Sequence, residues 1–128
     1  MMNGYEEFSE DVKKVLSDVI NRYSLNAVEE TDHKVIFKSN QCFLLISSEY
    51  YYCEVYFKEK EADRWMSIGP YLSALYPDAQ IIFTHSSEKP IKESIRASLN
   101  DIDSILQKYG NPFLTGDFSW REEYEKHL

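Results

Sequence analysis

Residues 34–58 read Lys34-Val35-Ile36-Phe37-Lys38-Ser39-Asn40-Gln41-Cys42-Phe43-Leu44-Leu45-Ile46-Ser47-Ser48-Glu49-Tyr50-Tyr51-Tyr52-Cys53-Glu54-Val55-Tyr56-Phe57-Lys58, and this stretch decides the fold. It opens on a short β-branched run, passes a Ser39-Asn40 pair suited to a tight turn, and enters a second strand over residues 41–47. The unbroken apolar run there predicts a central position. Ser47-Ser48-Glu49 offers another turn, and residues 50–58 form a third strand rich in aromatic and β-branched side chains. Strands joined by so few residues pair antiparallel. Residues 27–30 add a first edge strand before the Thr31-Asp32 turn.

Working outward, Tyr5, Phe8, Val12, Val15, Leu16, Val19, Ile20 and Tyr23 recur at helical spacing and predict an amphipathic helix over residues 5–23, stopped by Ser24-Leu25-Asn26. Ile91, Ile95, Leu99, Ile102, Leu106 and Tyr109 predict a second helix over residues 90–109. Pro90 suits its first position, Ser86 or Ser87 could cap it, and Gly110 fits a left-handed residue after the last turn. Ser119-Trp120-Arg121-Glu122 matches a capping box that opens a last short helix. The aromatics of residues 110–120 anchor that helix to the core. Residues 59–64 read as a solvated loop or a helical turn. Pro70 opens a short helix through Tyr76, although a strand over residues 65–75 is nearly as good. Residues 79–84 read as another strand. The expected architecture is α+β: one domain over residues 1–128, an antiparallel β-meander of three to five strands, with N-terminal and C-terminal helices packed on one face.

Composition narrows the function classes. Apolar residues make up 43% of the chain, enough for a buried core. Fourteen basic residues against 22 acidic ones leave a net charge of −8, which argues against duplex nucleic acid and against an anionic membrane surface as partners. Eight of the acids lie at or before Asp32, against three bases, a field that would steer a basic protein partner. The first residues lack a basic start and an apolar run, and two cysteines make no disulfide framework, so a cytoplasmic location is expected.

Alternation places Tyr51, Cys53, Val55 and Phe57 on one face of the third strand, and Tyr50, Tyr52, Glu54, Tyr56 and Lys58 on the other. A lone carboxylate is costly to desolvate, so the face with Glu54 is expected to meet water. Two readings stand. Tyrosine there serves β-propensity and cross-strand pairing, or it supplies a binding surface of wide area and low rotamer entropy. On the second reading the partner-binding residues are Tyr50, Tyr52, Glu54 and Tyr56, assisted by Glu29, Glu30 and Asp32. No metal-binding, redox, dinucleotide or phosphate-loop motif occurs, so no cofactor and no metal is expected. Of the histidines His33, His85 and His127, the first two could meet Asp32 at a sheet end. Cys42 and Cys53 lie in apolar strands, where a thiol is buried and inert, and could approach across the hairpin.

The size, the helix–meander–helix order and the Leu114-Thr115-Gly116-Asp117-Phe118-Ser119-Trp120 segment before the last helix resemble small acidic bacterial immunity proteins of polymorphic toxin systems. The resemblance implies a non-enzymatic inhibitor that binds a cognate toxin and occludes its active site; the sequence leaves monomer and homodimer both open. It carries no residue roles. The segment order also resembles acidic type III secretion chaperones, which bind an extended effector segment. An enzyme would have to use the histidine and carboxylate group.

Overall fold

Phe8, Val12, Leu16 and Val19 recur every three or four residues, and the chain coils to bury them: α1 spans Phe8–Val15 and α2 spans Ser17–Arg22. The single helix expected over residues 5–23 is opened by one turn at Leu16 (φ −93°, ψ 15°), though the Leu16 N–H still donates to the Val12 carbonyl at 2.9 Å. The computed structural model describes residues 7–49, 52–79 and 90–128. Expectations resting on Tyr50, His85, the Ser86 or Ser87 cap and residues 80–84 lie outside them. Ser24, at φ 53°, ends α2 in a left-handed conformation, and the Leu25 N–H returns to the Ile20 carbonyl at 3.0 Å. This is the closing bond of a helix stop in which serine stands where glycine is usual.

Five antiparallel strands follow in sheet order β1-β2-β3-β4-β5: Asn26–Glu30, Lys34–Lys38, Cys42–Ser48, Cys53–Glu59 and Met66–Ser67. Hydroxyl groups shape the first two turns. Thr31 accepts the N–H groups of His33 and Lys34 at 3.1 Å, and Ser39 accepts those of Gln41 at 3.0 Å and Cys42 at 3.2 Å. The meander is as expected, but Tyr52, expected within the strand over residues 50–58, is a bend, and β4 begins at Cys53. The register places Cys42 opposite Glu59 and Cys53 opposite Ser48. The two thiols therefore sit at opposite ends of the hairpin, about 20 Å apart along the strands, and do not approach one another. Both are buried, and burial pushes both thiols up, Cys53 to about 12.

The strand alternative for residues 65–75 holds only at Met66–Ser67. The chain then enters α3 (Ile68–Leu75), with Pro70 in the first turn, where a missing N–H costs no helical bond. Helix α4 (Ile91–Tyr109) starts one residue after Pro90, so the proline flanks the helix and does not open it. Gly110 is not left-handed. At φ −81°, ψ −12° it carries the chain straight into α5 (Asn111–Leu114). Glycine stands there because of space: a Cβ would lie 2.7 Å from the Leu106 carbonyl oxygen and 2.9 Å from Leu114 Cδ1. The left-handed glycine is Gly116, at φ +87°. The capping box does not form either. Asp117 takes the Ser119 N–H at 3.0 Å and its hydroxyl at 2.7 Å, and α6 (Arg121–Glu125) starts after Trp120. The Trp120 indole N–H donates to the Asp117 carbonyl at 2.6 Å, so the segment does anchor the last helix.

Val35, Phe37, Leu44, Ile46, Val55 and Phe57 share one buried core with the inward side chains of every helix. Its aromatic centre stacks Phe57 on Phe113 at 3.8 Å, with Tyr71 edge-on to Phe113 at 5.1 Å and to Trp120 at 4.8 Å. Polar ties hold the layers in place. Arg96 on α4 reaches Asp11 on α1 at 2.9 Å, and the Ser98 hydroxyl accepts the Cys53 N–H of β4 at 2.9 Å. Among the described residues no helix is long and apolar enough to cross a membrane.

Candidate functional site: the helix-free face of the sheet

Burial alternates along β2, β3 and β4, with every second residue buried under the helices and the intervening ones half-exposed. The parity expected for residues 52–58 is what the structure has: Cys53, Val55 and Phe57 point inward, while Tyr52, Glu54, Tyr56 and Lys58 meet water. Pairing carries the rule across the sheet. One row on the wet face runs Lys34, Ser47, Glu54. The next runs Glu29, Ile36, Leu45, Tyr56, Ser67, and the third runs Asn26, Lys38, Phe43, Lys58.

The first row borders the end where the β1–β2 and β3–β4 turns lie side by side, since the Ser48 N–H donates to the His33 carbonyl at 2.6 Å. Tyr52, Glu54, Tyr56, Glu29 and Asp32 gather at this end, with Glu49 beside them. Tyr56 donates its hydroxyl to Glu54. That bond and partial burial push the Tyr56 phenol up to about 12. The Glu54 charge, followed by burial and the Glu49 charge, pushes the Tyr52 phenol up as well. Both phenols are neutral donors at ordinary pH, which suits them to contact and not to nucleophilic chemistry.

Glu30 stands apart. A bulge at Val28 shifts the β1 register, and Glu30 lies opposite the inward Val35, where it meets Lys13 at 2.8 Å and the Ser9 hydroxyl. The lysine and the serine hold its carboxyl below the usual range. Glu29 stays on the wet face and pairs with Lys34 at 2.9 Å. Of the seven proposed contact residues, four lie on this face or on the hairpin leading into it, Asp32 sits in the neighbouring turn, Glu30 turns toward the helices, and Tyr50 lies outside the described residues.

Reading only the third strand missed the opposite end. There Lys58 Nζ sits 5.2 Å from the Phe43 ring and 4.9 Å from the Trp65 ring, with Lys38 Nζ 5.7 Å from Phe43 on its other flank. The parity rule applied to residues 41–47 would have put Phe43 and Leu45 on this face. No sequence signal places Trp65 there. The face is thus polarised, with acids and tyrosines at one end and lysines laid over aromatic rings at the other.

His33 is exposed at the acidic end, in the turn that Thr31 shapes. Among the described residues no group of three or more His, Cys, Asp or Glu side chains is placed to hold a metal ion. Comparison with protein-family models, with curated proteins and with solved structures finds no match to this chain.

Proposed function

We propose that this chain is a non-enzymatic protein-binding domain, an inhibitor of the immunity type, that docks a basic partner on the acidic, tyrosine-bearing end of its helix-free sheet face. The observation that carries the reading is the gathering of Tyr52, Glu54 and Tyr56 on β4 of that face, with Glu29 on the same face across the sheet on β1 and Asp32 in the β1–β2 turn at the same end. Neutral phenols give area and hydrogen bonds at little rotamer cost. Glu54, Glu49 and Asp32 offer carboxylates to lysine or arginine side chains, and the −8 net charge steers such a partner inward. The neutral phenols are in keeping with a surface that binds and does not react.

The test is co-expression with the products of adjacent genes, isolation of a defined complex, and calorimetry on it. Replacing both Tyr52 and Tyr56 by alanine is expected to cost at least about 2 kcal/mol, a loss of roughly 30-fold in affinity. For a toxin partner, growth rescue should fall in step. Unchanged affinity would remove the face from the interface, and a complex formed only with an extended, unfolded segment would favour a chaperone.

A further inference from the structure

A second feature lies at the other end of the sheet. A cleft of about 660 Å³ opens between the end of α2, the β2–β3 turn and α5, within the size range of small-molecule sites. Arg22 and Lys38 both line it, and no carboxylate does among the described residues. In a chain with 22 acids and 14 bases that combination is notable. Arg22 and Lys38 make no ion pair with any described residue, which is also true of Lys14, Lys58, Lys60, Arg64 and Lys108; what sets these two apart is that they line the same cleft, Lys38 at its edge near the Phe43 ring.

The remaining lining is mostly neutral and hydrogen-bonding, including Ser24, Asn40, Gln41 and Thr115. The walls are held in place. Tyr23 donates its hydroxyl to Asn111 at 3.1 Å and ties α2 to α5. Ser39 fixes the β2–β3 turn through the Gln41 and Cys42 N–H groups. A pre-formed polar wall spares a ligand the cost of ordering it.

We infer that this cleft binds a small phosphate monoester on a hydroxylated body, of the sugar-phosphate class. A guanidinium and an ammonium supply charge-assisted bonds to the phosphate. The hydroxyl and amide groups match ligand hydroxyls, and Tyr23, Val28 and Leu114 give the apolar face of a sugar ring a surface to lie against. The site is at the opposite end of the sheet from the proposed protein-docking surface and stands or falls independently of it.

The test is amide NMR titration of the full chain with glucose 6-phosphate, ribose 5-phosphate, inorganic phosphate and glucose. Saturable shifts at residues 22–26, 38–41 and 115 are expected with either sugar phosphate, weaker ones with inorganic phosphate, and none with glucose. Arg22→Gln and Lys38→Gln should each weaken binding on the order of 10-fold. Asn40→Asp, at an exposed turn, places a carboxylate in the cleft and should abolish binding while leaving distant amides unmoved. Tyr52→Ala with Tyr56→Ala should leave binding intact. Absence of saturable shifts with both sugar phosphates, equal shifts with glucose, or affinities untouched by all three cleft substitutions would each overturn the inference.

Discussion

Gly110 and Gly116 are glycine for different physical reasons, and paired substitutions separate them. At Gly110 the backbone is right-handed, so alanine is conformationally allowed and gains about 0.4–1 kcal/mol by narrowing the unfolded ensemble. Against that gain, its Cβ would press on the Leu106 carbonyl oxygen at 2.7 Å and on Leu114 Cδ1 at 2.9 Å. The first is backbone and the second belongs to a side chain 1% exposed, so neither can swing away. Overpacking of this kind costs about 1–3 kcal/mol, and the rigid contacts put it near the upper end. The net expectation is a loss of about 1–2 kcal/mol for Gly110→Ala. Gly110→Asn adds more atoms at the same contact with less helix propensity, and should cost more. At Gly116 the order reverses. The nearest atom is the far end of exposed Gln41, which can move, and the cost comes from φ +87°. Alanine there loses about 1–2 kcal/mol, while asparagine, which tolerates positive φ, loses less. Urea unfolding reads both pairs: at slopes of about 1–3 kcal/mol per molar, losses of about 1–2 kcal/mol move the midpoint by roughly 0.3 molar or more. If asparagine proves milder than alanine at Gly110, or alanine stabilises there, the close-approach account is wrong.

Removing the Ser98 hydroxyl leaves the buried Cys53 N–H without its acceptor; Ser98→Ala should cost about 1–3 kcal/mol in urea unfolding and speed hydrogen exchange at the Cys53 amide above its neighbours. Tyr56 donates to Glu54 only as the neutral phenol, so its folded ionisation is raised to about 12 from an ordinary value near 10. An unfolded chain loses that proton first, so stability from this pair is fully present below about pH 10 and is lost as pH rises toward about 12. Glu54→Gln should shift the Tyr56 tyrosinate absorbance transition downward, and an unmoved transition would mean the hydrogen bond does not form in solution.

Local periodicity made the meander and the core faces legible, because alternation along one strand needs no knowledge of its neighbours. Errors arose where two causes leave the same letter in the sequence. A glycine after a helix signals missing side-chain atoms, and cannot tell a left-handed turn from a crowded contact; Gly110 is the second and Gly116 the first. Ser119 carries the letter of a cap, but Asp117 two residues earlier competes for its hydroxyl and wins. Tyr52 carries strong β-propensity, yet it forms a bend and β4 begins at Cys53. The proximity of the two cysteines depended on register, which hydrophobicity along one strand does not set.

The site was legible to the same depth and no further. Glu29 and Glu30 were grouped by charge, although adjacent residues on a strand face opposite ways; parity alone would have separated them. The Val28 bulge decides which faces which: without it Glu29, not Glu30, would stand on the side of Phe37 and Val35. One inserted residue therefore keeps Glu29 beside Lys34 on the wet face and delivers Glu30 to Lys13 on α1. The same logic governs the far end, where Phe43, Lys58 and Trp65 come from three separate segments, and where Arg22 and Lys38 face one cleft only because the β2–β3 turn folds toward the end of α2. Charge summed along the chain describes an acidic protein. Charge sorted by register puts Glu49 and Glu54 with the tyrosines at one end of the wet face and Lys38 and Lys58 over Phe43 at the other, and it is the sorted arrangement that a partner would meet.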